Sequence, residues 1–347
     1  MQTVINLLLI GLFSLTFSPN LNAQATMPAA NWDRNLALSV ARQADVKPVL
    51  KPLYQLVQTG SNSELLEALS SIELDSSIPD PARDFLLFSF VVGLGDLQAN
   101  AVSPEVLDFL AGYEPKTRVS DEDHPRITVP LFNVRAATAG TRNRWDRQLA
   151  STRAEGLLPE QWLLNYVGAS VAQRRGFVDS LDFASTEFLD TLGWSALTRL
   201  DERPELILVV ARAAVGSGDF DLLQQSLLQG SGPELSRALA TVSPKLSDPE
   251  AADLLNGVLR SGSDSRAALF IAHLAPTRLD NTVVRDMLFD TLANRNLGAA
   301  AALVLSASQN QEIQTRLKKM ASEKESLSQQ RASWVINTRK AERGAER

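Results

Sequence analysis

The second half of this chain repeats one apolar pattern, and that recurrence constrains the fold more than any other feature. Three apolar residues return with the same spacing at three places: Leu222, Leu223 and Leu227, then Leu254, Leu255 and Leu259, then Met287, Leu288 and Leu292. The offsets between the three sets are 32 and 33 residues. A period of this length is typical of stacked helical pairs, because each pair buries its apolar face only against its neighbours. The sequence therefore predicts an all-α fold, an α-solenoid-like stack of antiparallel helical hairpins.

Start signals and aligned positions support this repeat from Pro204 onward. Each predicted second helix begins at a residue that caps helices well, namely Asp219, Asp248 or Asn281. Two sets of first-helix positions align: Leu206, Leu235, Ala267 and Ala299, and four residues later Val210, Leu239, Ile271 and Leu303. The alternative is a compact, irregular helical bundle, because any all-helical chain with short loops has some periodicity of this kind.

The repeats resemble a known architecture in three respects. The helices are paired, they start at Pro or Asp, and they carry small residues at Ala211, Ala240 and Ala272. In these respects the segment Pro204–Ser308 resembles HEAT-type repeats. Gly218-Asp219-Phe220 is also similar to the turn of a tetratricopeptide repeat, although the signature Trp, Gly and Tyr of that repeat are absent. The resemblance implies an architecture and a habit of binding partners, and no function for individual residues.

The N-terminus has the features of an export signal. Residues 1–32 contain no charged side chain, and the stretch Val4–Phe17 is apolar. Ala23 and Ala25 fit the small-x-small rule of a secretory cleavage site. We therefore expect a signal peptide over residues 1–25, cut after Ala25 or alternatively after Ala23. The competing interpretation is an N-terminal helix packed on the body, because Lys and Arg are missing from the first residues.

Composition narrows the compartment and the partners. The chain has no cysteine, so an exported form has no disulfides and is stabilised by its core alone. We expect a bacterial periplasmic protein, with secretion as the alternative and with no membrane span after signal removal. The net charge is −6, whereas residues 316–347 carry nine basic and four acidic side chains. The remaining body is therefore acidic, which argues against nucleic acid as a partner.

The sequence divides into five predicted segments. They are the signal peptide 1–25, an N-terminal helical region 26–112, an irregular Pro/Arg-rich segment 113–157, HEAT-like helical repeats 158–309, and a long charged C-terminal helix 310–347. The region 26–112 is expected to hold about five helices, with Asp80-Pro81 and Ser103-Pro104 as two of the helix starts. In the irregular segment, Pro130 limits the alternating stretch Ile127–Val129 to an edge strand or an extended crossover.

The tail has an apolar residue every seven positions. The series is Ile313, Met320, Leu327, Trp334 and Ala341, whereas the companion positions are Leu317, Lys324, Arg331 and Thr338. A coiled coil needs both seams to be apolar, and here only one is. The pattern indicates one long helix that docks a narrow stripe on the body or on a partner. Self-association through this helix is a further possibility.

No arrangement of residues in the sequence indicates catalysis. The chain contains neither Gly-x-Ser-x-Gly, nor His-Glu-x-x-His, nor a phosphate-binding Gly-rich loop. Its two histidines are His124, which follows the acidic run Asp121–Asp123, and His273, on a predicted helix face. The sequence therefore predicts a non-enzymatic protein without cofactor or metal. Glu155 and Glu160 are candidate acids of a sugar cleft, with surface charges as the simpler explanation.

Four residues form the best candidate for a partner-binding surface: Arg142, Arg144, Trp145 and Arg147. Arginine forks suit carboxylates or phosphates, and Trp supplies contact area at low entropic cost. The competing interpretation is that these arginines pair with acids of the body, including Asp121–Asp123.

We predict an exported helical-repeat protein that binds or scaffolds another protein in the bacterial cell envelope, or an anionic envelope glycan. The alternatives are a glycan-binding or glycan-cleaving protein that uses Trp145 and Trp162, and a purely architectural protein.

Overall fold

The computed structural model describes residues 31–323 and 326–345, so the predicted signal peptide lies outside the described residues. The described chain contains eighteen α-helices and one two-stranded sheet, which makes the fold all-α. It divides into two compact units. The first unit comprises the described residues up to Asp96 together with Ala101–Ala139, and the second comprises Leu97–Asn100 together with the residues from Gly140 onward.

Five helices in the first unit confirm the prediction for the region before residue 113. They are α1 (Arg34–Gln43), α2 (Lys47–Thr59), α3 (Asn62–Leu74), α4 (Asp80–Leu94) and α5 (Pro104–Gly112). Asp33 caps α1 by accepting the backbone N–H of Leu36 at 2.9 Å. Gly60 ends α2 in the left-handed conformation, with φ of 72°, which a residue with a Cβ adopts at a cost. Among these helices α4 packs on α1, α2 and α3, and α5 packs on α3.

A small hairpin follows α5. Strands β1 (Arg118–Ser120) and β2 (Thr128–Pro130) pair antiparallel, with Val119 opposite Val129. Trp32 donates its backbone N–H to the Arg118 carbonyl at 2.9 Å, so residues 31–32 run along the other edge of β1. Pro130, which lacks an N–H, lies in the edge strand β2, as the sequence predicts.

A helix occupies much of the segment that the sequence predicts to be irregular. Helix α6 (Val134–Ala154) follows the hairpin and contains the boundary between the two units. Its buried positions include Thr138, Thr141 and Trp145. The hydroxyl of Thr138 is satisfied by donating to the Val134 carbonyl at 2.9 Å. Because polar threonines occupy two inward positions among many arginines, the apolar period of α6 is hidden in the sequence.

Twelve further helices make up the described part of the second unit beyond α6. They are α7 (Pro159–Gly168), α8 (Val171–Ser180), α9 (Thr186–Leu197), α10 (Ile207–Ser217), α11 (Phe220–Gln229), α12 (Gly232–Val242), α13 (Asp248–Ser261), α14 (Asp264–Leu274), α15 (Thr282–Thr291), α16 (Gly298–Ala307), α17 (Gln311–Ala321) and α18 (Leu327–Ala345). Short 3₁₀ turns stand between some of them, at Leu181–Phe183, Pro204–Leu206, Ser243–Lys245 and Pro276–Arg278.

These helices stack in two rows. In the first row, α7, α9, α11, α13 and α15 each pack on the next. In the second row, α8, α10, α12, α14, α16 and α18 do the same. Consecutive helices of the chain, such as α9 and α10 or α13 and α14, pack across the two rows. This arrangement is the α-solenoid-like stack of hairpins that the apolar repeat predicts, and one continuous apolar core runs through it.

The repeat register is right in the first-row helices and wrong at one second-row helix. The aligned set Leu223, Leu255 and Leu288 is buried, whereas Leu259 and Met287 of the other two sets are half-buried. In α16, however, the predicted inward residues Ala299 and Leu303 are exposed, Leu303 by 44%. The buried positions lie one residue earlier, at Gly298 and Ala302 among others. Because the sequence of α16 is small or apolar on every face, hydrophobic period alone does not identify its inner side.

The C-terminal segment forms two helices rather than the single long helix that the heptad pattern suggests. Helix α17 ends at Ala321, and α18 begins at Leu327 and packs on both α16 and α17. Within α18, Ala332 and Val335 are buried. The predicted heptad series does not keep to one buried face, because Ile313 is buried whereas Leu327 and Trp334 are exposed.

Candidate binding surface

The four residues predicted to bind a partner lie on α6, in the part that belongs to the second unit, and their environments differ. Trp145 is only 3% exposed, so its ring belongs to the core rather than to the surface. Its indole N–H is buried and finds no acceptor among the described residues. Arg142 is half-buried and Arg144 is exposed, and each has an interaction partner.

Arg147 is tied to the neighbouring helix α8. Its guanidinium donates two hydrogen bonds to the carboxylate of Asp179, with Nη2 at 2.8 Å from Oδ1. This hydrogen bonding raises the pKa of Arg147. The two helices approach closely at Gly176, where a Cβ would overlap the Arg147 carbonyl oxygen. Arg147 therefore has a structural contact, and the binding role of the four residues stays a prediction.

The residues of the glycan hypothesis are also engaged in packing. Trp162 is fully buried, and its ring stacks on Tyr166 with centroids 5.3 Å apart and meets the edge of Phe177. Glu160 forms an ion pair with Arg199, which lies in the turn after α9. Because Trp145 and Trp162 are both buried, neither presents a ring on which a sugar could stack.

The two histidines have unlike environments. His273 on α14 is half-buried, and its Nε2 lies 2.8 Å from the hydroxyl of Ser236 on α12. Burial lowers the pKa of His273. His124 is exposed in a turn where Asp121 accepts its backbone N–H at 2.9 Å. Within the described ranges, no group of three or more histidine and acidic side chains is placed to hold a metal ion.

The first row exposes one aspartate from each of four successive helices: Asp190, Asp221, Asp253 and Asp286. The last three occupy the same repeat position, directly before Leu222, Leu254 and Met287. Asp286 pairs with Arg316 of α17. This row was not predicted from the sequence, although the last three aspartates stand next to the apolar residues that reveal the repeat. We call these four residues the aspartate row.

Four helices of the second row, α12, α14, α16 and α18, each expose an apolar residue: Ala240, Ala272, Leu303 and Trp334. Their side chains grow larger toward the C-terminal end of the row. Helix α16 carries no charged residue at all. At these positions the first row presents carboxylates to solvent and the second row presents apolar side chains.

Comparison with known proteins adds no relative: no protein-family model, curated protein or solved structure matches this chain. Among the described helices, none combines the length and the apolar character that crossing a membrane requires.

Proposed function

We propose that this chain is an exported, non-enzymatic binding or scaffolding protein of the bacterial cell envelope, built from HEAT-like repeats. The observation that carries the proposal is the two-row stack of helices, in which equivalent residues recur on the solvent side of successive helices. Stacked helical pairs of this kind form extended surfaces that suit extended partners. Export to the periplasm rests on the expected signal peptide in residues 1–25.

The engagement of potential catalytic groups supports a binding role over an enzymatic one. Three such groups have structural partners: His273 contacts Ser236, Glu160 pairs with Arg199, and Arg147 pairs with Asp179. These contacts join helices to one another, which is what residues of a scaffold do. A catalytic group would instead face a cleft that substrate can enter.

The aspartate row suggests the chemistry of the partner surface. Neighbouring helices in a row stand about 8–10 Å apart, so four exposed carboxylates follow one another at roughly that interval. Like charges in a row attract a partner of opposite charge and raise its association rate. We therefore infer that the partner of the first row presents Lys or Arg side chains.

The experiment is a pull-down from envelope extract with matched charge variants of the expected mature chain. The variant Asp221→Asn with Asp253→Asn removes two charges of the row without changing side-chain size. The control, Asp201→Asn with Glu202→Gln, removes two exposed charges outside the row. We expect a partner that the unmodified chain and the control retain and that the row variant loses. Circular dichroism checks that all three are folded.

A second variant tests the surface on α6 that the sequence predicts. Arg142→Glu with Arg144→Glu reverses two charges on α6 and leaves the Arg147–Asp179 ion pair intact. Loss of the partner in this variant alone would move the binding surface to α6. Capture of nothing by any form, with or without salt, would contradict the proposed function.

A further inference from the structure

A pair of residues on α15 already binds an arginine of this chain. The guanidinium of Arg316 on α17 lies over the ring of Phe289, with its Cζ 4.1 Å from the ring centroid. The same guanidinium forms an ion pair with Asp286, which stands three residues before Phe289. Phe289 is only 2% exposed. A carboxylate and an aromatic ring on one helix thus together receive an arginine side chain in this stack.

Helix α9 of the same row carries a similar pair that is open to solvent. Trp194 is 39% exposed, and Asp190, four residues before it, is exposed as well. Side chains three or four residues apart are neighbours on the surface of a helix. Among the described residues, no cationic side chain lies over the Trp194 ring, and none forms an ion pair with Asp190. The pair on α9 therefore has the chemistry of the pair on α15 without the arginine.

A hydrogen bond holds the ring of Trp194 in place. Its indole N–H donates to Oδ2 of Asp219 at 3.2 Å, and Oδ1 of Asp219 accepts the backbone N–H of Leu222 at 2.9 Å, at the start of α11. A ligand does not need to order this ring first, which lowers the entropic cost of binding. The Asp219 carboxylate also places a second negative charge at the edge of the ring, which favours a cation nearby.

Two amide side chains continue this surface on the next two helices of the row. Gln224 on α11 is half-buried and stands three residues after Asp221, and Asn256 on α13 has the same burial and the same relation to Asp253. The Gln224 amide reaches α13 beside Asn256, because its Nε2 lies 3.5 Å from the place that a Cβ of Gly257 would take. Within the described part of the chain, neither amide takes part in a hydrogen bond. Each amide offers a donor and an acceptor, which suits the main chain of an extended peptide.

We propose that Asp190 and Trp194 bind an arginine side chain from an extended, basic peptide segment of the partner. The guanidinium lies on the ring of Trp194 and pairs with the carboxylate of Asp190, as Arg316 does on α15. Arginine suits this site better than lysine, because its planar guanidinium stacks on a ring while its N–H groups bind a carboxylate. The inference rests on the proposed function and names the residue that the partner of the first row presents there.

The geometry of the row also sets the spacing of basic residues in such a segment. Helices of one row stand about 8–10 Å apart, and an extended chain advances about 3.3 Å per residue, so basic residues about three positions apart fit successive helices. From the arginine on α9, the segment runs across the amides of Gln224 and Asn256, with Asp221 and Asp253 beside it.

The first test measures the binding of a labelled peptide, Arg-Ser-Ser-Arg-Ser-Ser-Arg, to the full chain by fluorescence anisotropy at low salt. We expect Trp194→Leu to raise the dissociation constant at least about fivefold and Asp190→Asn at least about threefold. The matched controls, Trp334→Leu at another exposed tryptophan and Asp201→Asn at another exposed aspartate, should bind like the unmodified chain. No binding to the unmodified chain, or equal weakening by the controls, would overturn the proposal.

A second variant separates the ring of Trp194 from its hydrogen bond. Trp194→Phe keeps an aromatic face and loses the bond to Asp219, so the dissociation constant should stay within about threefold of the unmodified value. A loss as large as that of Trp194→Leu would mean that the bond to Asp219, and not the ring, supports binding. The same peptide with Lys in place of Arg should bind at least about threefold more weakly. Equal binding of the two peptides would contradict a guanidinium site.

The third test opens the occupied pair on α15. Arg316→Gln uncovers Phe289 and Asp286, so the peptide should bind at least about twofold more tightly than it does to Lys319→Gln. The Lys319 variant removes an exposed charge of the same helix and leaves Phe289 covered. No gain over this control would contradict Arg316 as a model of the ligand.

The pull-down separates this proposal from the proposed function. A partner that Trp194→Leu retains and the Asp221 and Asp253 variant loses would support the proposed function and remove the arginine site. Binding of the peptide at Trp194 without any captured partner would support the arginine site and contradict the proposed function.

Discussion

The guanidinium of Arg331 lies against Gly298, in the space that a side chain at residue 298 would need. Gly298 is the first residue of α16, and the Leu292 carbonyl that accepts from Arg331 lies next to the same space. The missing side chain thus lets Arg331 reach the carbonyls at the end of α15. A polar contact of this kind fixes α18 to the stack in addition to the burial of Ala332 and Val335.

The first prediction concerns this contact. Gly298→Ala should displace the Arg331 guanidinium and crowd the Leu292 carbonyl, which costs hydrogen bonds from a charged donor. We expect the free energy of unfolding to fall by about 1–3 kcal/mol, measured by urea denaturation. Gly257→Ala, inside α13, is the control, since its Cβ would meet only an ordinary contact with the side chain of Gln224 on α11. That variant should be neutral or stabilising by about 1 kcal/mol, because Ala favours helix more than Gly does. Equal effects of both substitutions would contradict the role of Gly298.

The helices that sequence predicts well are those whose ends and inner faces are both marked. Asp33 and the Asp80-Pro81 pair mark helix starts, and the leucines of the first-row helices mark an inner face. The structure agrees with these local signals. The hydrophobic period does not identify the buried face of α16, which has no polar face, or that of α6, which has buried threonines. The heptad series does not predict the break between α17 and α18, because the series continues in the sequence across that break.

The candidate site was harder to predict from the sequence than the fold. Trp145 stands among arginines in the sequence, which suggested a surface, yet its ring is buried. Composition does not tell which side of a helix a residue occupies, and only the packing of α6 decides it. The aspartate row was within reach of sequence reasoning, because Asp221, Asp253 and Asp286 share the period of the leucines beside them.

The second prediction tests the repeat core. Leu255 of α13 is fully buried in the core that joins the helical rows. Leu255→Ala should therefore lower the free energy of unfolding by about 2–5 kcal/mol, through lost burial and the cavity that remains. Leu164→Ala, at an exposed leucine of α7, should stay within about 0.5 kcal/mol of the unmodified chain. A Leu255 variant as stable as the Leu164 variant would mean that the core is not continuous there.

The third prediction concerns a buried carboxyl group in the first unit. Asp84 on α4 is buried and accepts from the Tyr113 hydroxyl at 2.5 Å and from the Thr117 backbone N–H at 2.7 Å. Burial raises the pKa of Tyr113, so its hydroxyl remains a donor at every ordinary pH. These bonds join the segment before β1 to α4.

Tyr113→Phe removes one donor from this buried carboxyl group. We expect the first unit to lose about 1.5–3 kcal/mol of stability, the range for hydrogen bonds to charged groups. Tyr54→Phe is the matched comparison, because the Tyr54 hydroxyl donates to the neutral Phe90 carbonyl at 3.0 Å. Its cost should be smaller, about 0.5–1.5 kcal/mol. If amide hydrogen exchange in α4 were perturbed no more by Tyr113→Phe than by Tyr54→Phe, Asp84 would not be the anchor we describe.

The last prediction is a pH dependence of stability that one histidine causes. Burial lowers the pKa of His273 below its ordinary value, so the folded chain favours the neutral ring. The unfolded chain binds a proton near pH 6.5. The contribution of His273 is therefore fully present above about pH 6.5 and is lost as the pH falls from there through the folded-state pKa. Carboxylates with lowered pKa, such as Asp182 and Glu250, act in a more acidic window.

Urea denaturation between pH 7.5 and about pH 5.5 measures this contribution. In the unmodified chain the free energy of unfolding should decrease as the pH falls, because the folded chain holds the His273 ring in a partly buried place that disfavours its charged form. His273→Gln should flatten that slope. The chain has only two histidines, so His124→Gln, at the exposed one, is a complete control and should keep the slope. A slope that persists in the His273 variant would assign the pH dependence to the carboxylates instead.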